Sequence, residues 1–102
     1  MARFEIRIAP SAMAAIQKIS RWWVKNRRAS PRLFDFELDT ILALLEVQPD
    51  IGKTIKLGAH GEVRAVVLRR SRYLVAYRVL PAEQQVWIVL VRHGSRRPMR
   101  SR

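Results

Sequence analysis

The sequence has no cysteine, only four glycines, and no purely apolar run longer than the six residues Val86–Val91. Without thiols it can form neither disulfides nor thiolate metal sites, which fits a reducing compartment. Two histidines are too few to suggest a metal centre, and neither a metal nor a cofactor is expected. A membrane-spanning helix needs roughly 20 apolar residues, so no membrane segment is expected. The opening MARFEIRIAP alternates charged and apolar residues and lacks a hydrophobic signal core. A soluble, cytoplasmic protein is expected. Acidic residues are also scarce. Eight Asp and Glu face twenty Lys and Arg, for a net charge of +12. Such an excess points to polyanionic partners: nucleic acid, a ribosome or an acidic protein.

At 102 residues the chain has room for one domain, and its 49% hydrophobic content supplies one modest core. A single domain over residues 1–102 is expected, ending in a basic tail from about residue 93. No repeat or low-complexity segment occurs. Residues 3–8 put Phe4, Ile6 and Ile8 on one side and Arg3, Glu5 and Arg7 on the other, the period of a strand with one solvated face. Pro10 and Ser11 mark a boundary, with Ser11 a candidate helix cap. Over 12–25 the period becomes helical, with Ala12, Ile16, Ile19 and Trp23 in one stripe. Ser30-Pro31 predicts a second helix start, followed by Phe34, Leu38, Ile41 and Leu45 at helical spacing and ended by Pro49.

Residues 50–61 hold three glycines and read as a loop. Three strands follow, at about 63–68, 73–80 and 85–91. The second of these is apolar on nearly both faces, as a central strand should be. The resulting order is β-α-α-β-β-β, an α+β fold with a helical hairpin packed on a small antiparallel sheet.

Three segments carry a family pattern. Pro49-Asp50-Ile51-Gly52-Lys53 is similar to the P-x-x-G-[RK] element that follows the second helix of ParE-like toxins. Val63-Arg64 with Tyr73-Leu74-Val75-Ala76-Tyr77-Arg78-Val79 resembles their R…Y-x-[IV]-x-Y-R-V strand pair. The stretch from Val86 to Arg97 resembles their terminal V-x-I-L-x-V-x-H-G-x-R segment. Taken in order, these pieces identify the chain as similar to the RelE/ParE superfamily of toxin–antitoxin (plasmid stabilisation) toxins.

The resemblance implies a cognate antitoxin as partner, with operator DNA reached only through that antitoxin. It also implies one of two targets. ParE-like members act on DNA gyrase; RelE-like members are endoribonucleases that cut messenger RNA on the ribosome. The RelE-like type resembles a set of lysines on one strand, an arginine on the next, a terminal arginine and often a late tyrosine. Aligned through Tyr73 and Tyr77-Arg78-Val79, the lysine positions fall on or next to Ala65 and Val67, and the strand arginine falls on Leu74. No tyrosine follows Tyr77. Ala, Val and Leu can neither hold a phosphate nor move a proton, which favours the gyrase-directed, non-enzymatic reading. The ribonuclease alternative would use Arg64, His93 and Arg96 or Arg97. A third reading is a degenerate, non-toxic subunit kept for antitoxin binding.

Five arginines crowd the last eleven residues. Of these, Arg92, Arg96 and Arg97 are candidates for target or anion binding, together with Arg64, His93, Lys53 and Lys56. The two lysines are expected to face the same groove as the tail. Trp22, Tyr73 and Tyr77 are candidate antitoxin contacts, because aromatic anchors dominate interfaces. Gly52-Lys53-Thr54 lacks the upstream glycine of a phosphate-binding loop and follows no predicted strand. His60 is expected to be exposed.

Overall fold

The computed structural model describes residues 3–94. Its elements are β1 (Glu5–Ile8), α1 (Pro10–Asn26), α2 (Leu33–Val47), β2 (Lys53–Lys56), β3 (Glu62–Val67), β4 (Tyr73–Leu80) and β5 (Gln85–His93). Short 3-10 turns at Gly58–His60 and Pro81–Glu83 connect the strands. The α+β class and the helical hairpin are as the patterning predicts.

The sheet differs in two respects. Its spatial order is β1-β5-β4-β3-β2, so the segment read as a loop contributes a fifth strand. Lys53–Lys56 is short, lysine-flanked and exposed on three of its four residues. Such a strand owes its form to pairing with β3 and not to its own apolar pattern, and its lysines discourage further edge pairing. The sheet is also mixed. β1 runs parallel to β5, with Ile6 opposite Val86 and Ile8 opposite Ile88, while every other neighbouring pair is antiparallel.

The helix starts are set differently from the reading as well. Pro10 occupies the first turn of α1 behind Ala9, and Ser11 lies inside the helix without capping it. Proline's fixed φ and missing N–H suit that place. Residues 28–32 form turns, and α2 begins at Leu33 after Arg32. There the Ser30 carbonyl accepts the Leu33 N–H at 3.2 Å.

Alternation gives the sheet two unlike faces. Tyr73, Val75, Tyr77 and Val79 of β4 join Val86, Ile88 and Val91 of β5 in the core, beneath Ala12, Ile16, Ile19 and Trp23 of α1 and Phe34, Leu38 and Leu45 of α2. Leu74, Ala76 and Arg78 point the other way. Between Ile88 and Leu90, the β5 residue Val89 has no opposite number on β4. This bulge keeps both ends of β5 in register with the core despite nine residues facing eight. Among the described residues no helix is long and apolar enough to cross a membrane.

Candidate functional site

Two of the three family-like segments meet in one structural lock. Tyr77 is fully buried. Its hydroxyl donates to the Pro49 carbonyl at 2.7 Å and accepts the Gly52 N–H at 2.8 Å. From the neighbouring strand, Arg64 donates to the carbonyls of Gly52 at 2.8 Å and Asp50 at 3.2 Å. A Cβ at Gly52 would lie 2.6 Å from that hydroxyl and 3.0 Å from the Ala65 carbonyl, so only glycine lets the backbone approach this closely. The lock fastens the exit of α2 to the sheet. Burial pushes the Tyr77 phenol above its ordinary value of 10.0, opposed by the Gly52 N–H and the Arg64 charge.

This arrangement corrects the placement of three candidates. Tyr77 has no exposed surface and cannot contact an antitoxin. Tyr73 is 8% exposed. Its hydroxyl accepts the Trp23 indole N–H at 3.3 Å, and its ring packs edge-on against Phe34. Arg64 spends its guanidinium on backbone carbonyls. It pairs across β4 with Tyr77, four residues and two strands from His93, on the order of 16 Å away. The ribonuclease trio of Arg64, His93 and a tail arginine is therefore not assembled among the described residues. Arg96 and Arg97 lie outside those residues.

The sheet face away from the helices carries Ala65, Val67, Leu74, Ala76 and Leu90. Val67 lies opposite Leu74, and Ala65 opposite Ala76, which is itself opposite Leu90. Ala65, Val67 and Leu74, where the resemblance to the RelE-like type would put cations, thus lie in one apolar patch, with Val67 54% exposed and Ala65 and Ala76 buried. Arg92 borders it opposite Leu74, and Lys53 borders it opposite Ala65. Lys53 and Lys56 are exposed on the outer edge strand, with β3 and β4 between them and β5. They do not face the groove that holds Arg92 and His93.

That groove, about 880 Å³, lies between α1 and the β3–β4 turn with the end of β5. Trp22, Trp23, Tyr73 and His93 line it. The two indoles meet edge-on at 6.0 Å, and Tyr73 and His93 at 5.0 Å. Trp22 is 44% exposed, with the Arg27 guanidinium 5.1 Å from its ring centre. Sequence reasoning identified Trp22, Arg92 and His93 here. It missed Lys18, Arg27, Arg70 and Arg72, which come from segments distant in the chain. The turn bearing Arg70 is held by Glu37 of α2, whose carboxylate accepts the N–H groups of Arg70 at 2.9 Å and Ser71 at 2.8 Å. Desolvation would raise the Glu37 carboxyl, but these bonds and the Arg70 charge outweigh it and hold the group below its ordinary 4.5. The Gly94 N–H, next to His93, donates to the carbonyl of Arg72 at 2.7 Å. His60, expected at the surface, is half-buried, its carbonyl taken by Arg78.

A second hollow, about 500 Å³, sits beside the lock and is lined by both signs of charge, including Asp50, Glu62, Arg64 and Arg78. Among the described residues no cluster of His, Asp and Glu could hold a metal ion.

No curated protein matches the chain by sequence. Two solved structures share its fold at 19% identity. One is the RelBE2 toxin–antitoxin complex of Mycobacterium tuberculosis, with a TM-score of 0.64 over 91% of this chain and 93% of that one. The other is the archaeal RelE–RelB complex of Pyrococcus horikoshii OT3, with a TM-score of 0.58 over 92% and 98%. The family model for the ParE toxin of the type II toxin–antitoxin system parDE matches residues 6–98. With that match covering nearly the whole chain, the protein belongs to the ParE toxin family, within the RelE/ParE superfamily of type II toxins.

Proposed function

We propose that this toxin inhibits DNA gyrase by binding, with no bond-breaking chemistry of its own, and that a cognate antitoxin neutralises it. The carrying observation is the apolar patch of Ala65, Val67, Leu74, Ala76 and Leu90 on the open sheet face. Cleavage of RNA requires a base, an acid and cations around the scissile phosphate. Methyl, isopropyl and isobutyl groups supply none of these, whereas an apolar patch that exposes Val67 and is bordered by cations suits a protein surface. The match to the ParE toxin model supports the same choice.

The antitoxin's docking surface is the outer face of α2. Phe36, Leu44 and Val47 lie there at helical spacing, with Phe36 70% and Val47 51% exposed. The helix is apolar on both sides, and such helices are normally covered. A disordered, acidic, amphipathic segment would bury this stripe and place its charges against the surrounding +12 surface.

Purified toxin should inhibit supercoiling by purified gyrase, and added antitoxin should restore it. Full gyrase activity at large toxin excess would exclude the reading. The ribonuclease alternative, which would use Arg64, His93 and Arg96 or Arg97, keeps only His93 at the end of β5, with Arg64 held in the lock. It predicts messenger cleavage only when ribosomes are present.

A further inference from the structure

We propose that the groove between α1 and the end of β5 is a binding site for single-stranded nucleic acid. Its walls carry Lys18 and Arg27 from α1, Arg70 and Arg72 from the β3–β4 turn, and Arg92 from β5, and no carboxylate lines it. Among the described residues none of these five makes an ion pair. Twelve excess positive charges are spread over the chain, yet here cations from three elements converge on one concave surface. A low-dielectric cleft lined by one sign of charge concentrates its field and draws in a polyanion.

The floor decides which polyanion. An aromatic series underlies it, from exposed Trp22 to buried Trp23 at 6.0 Å, on through buried Tyr73, to half-buried His93 at 5.0 Å, so Trp22 and His93 are the rings open to a base. Cations flanking an aromatic floor are the arrangement by which proteins hold single strands, with phosphates on the walls and bases stacked on rings. Trp22, 44% exposed and already bearing Arg27 over its ring, presents such a surface. The carboxylate side chains of an acidic peptide have no rings to stack there. A paired duplex keeps its bases stacked on one another and out of reach. The proposal stands whichever target the toxin has, because the groove lies on the helix side of the sheet and shares only Arg92, opposite Leu74, with the border of the apolar patch.

The test uses the full chain, free of antitoxin, and a fluorescent 12-nucleotide single strand, read by anisotropy over a range of salt. Two double variants each remove two cations: Lys18→Gln with Arg70→Gln in the groove, and Lys53→Gln with Lys56→Gln on the far edge strand. The groove pair should weaken binding about tenfold and flatten the salt slope by about 1.4, at roughly 0.7 per cation on a single strand. The edge pair should change affinity less than about threefold. Trp22→Leu should cost about tenfold with little change in slope, and Trp22→Tyr should recover most of it because a ring remains. Thermal unfolding of each variant separates loss of the site from loss of the fold. Equal losses in the two double variants would overturn the proposal, leaving only diffuse charge. So would duplex binding as tight as the single strand with Trp22→Leu silent. Equal-affinity competition by a poly-glutamate peptide with the same dependence on Trp22 would overturn it too, marking the groove as a protein site. Matched DNA and RNA strands tell which sugar is preferred.

Discussion

Removing the Tyr77 hydroxyl is the sharpest test of the lock that joins α2 to the sheet. Tyr77→Phe keeps the ring and its packing but deletes two hydrogen bonds, to Pro49 at 2.7 Å and from Gly52 at 2.8 Å. The Gly52 N–H is left without that partner in a buried position. A buried polar group stripped of its partner costs about 1–3 kcal/mol, so two such groups, one partly reachable by solvent, should cost about 2–4 kcal/mol. For a domain near 100 residues this lowers the melting temperature by roughly 10–20 °C. Gly52→Ala should be severe for a different reason, since its methyl would lie 2.6 Å from the same hydroxyl. The two effects share one atom and so must couple. In the double variant the hydroxyl is gone, and only the 3.0 Å contacts to the Ala65 carbonyl and the Tyr77 ring remain. The double variant should therefore be more stable than the sum of the single losses predicts, by about 1 kcal/mol or more. Denaturant or thermal unfolding of the four proteins gives the cycle directly. Strict additivity, or a Tyr77→Phe loss below about 0.5 kcal/mol, would refute the lock. The burial-raised phenol adds a sign: its contribution is intact below the ordinary 10.0 and is lost as pH rises through the higher folded value. Tyr77→Phe should remove that alkaline loss.

Glu37→Gln should destabilise the fold by about 1–2 kcal/mol, because one carboxylate accepts both turn N–H groups. Its folded value is depressed, so the stabilisation is present above the ordinary 4.5 and fades as pH falls through the folded value. The gap between wild type and Glu37→Gln, followed by chemical unfolding, should narrow below about pH 4.5. Tyr73→Phe deletes the acceptor of the Trp23 indole N–H and should cost about 1 kcal/mol in the same assay. Phe36→Asp, at a 70% exposed position, should leave stability within about 0.5 kcal/mol. It should weaken antitoxin binding at least tenfold by calorimetry, and unchanged affinity would remove α2 from that interface.

Local periodicity was enough to read β1, both helices and the three long strands, because their side chains repeat at 2 or 3.6 residues with one face apolar. It also identified β4 as central, since Tyr73, Val75, Ala76 and Tyr77 leave it no polar face. Lys53–Lys56 carries no such signal; pairing with β3 makes it a strand. The parallel union of β1 with β5 joins residues about eighty positions apart, and no local pattern encodes a partner at that separation. The same limit applied to the sites. Pro49, Gly52, Arg64 and Tyr77 were legible as motif letters, but only folding showed that one hydroxyl and one guanidinium bind them together. Trp22, Arg92 and His93 could be named from the chain. The convergence of Lys18, Arg27, Arg70 and Arg72 on the same groove could not, because charge along a sequence says nothing of which faces tertiary packing will set opposite one another.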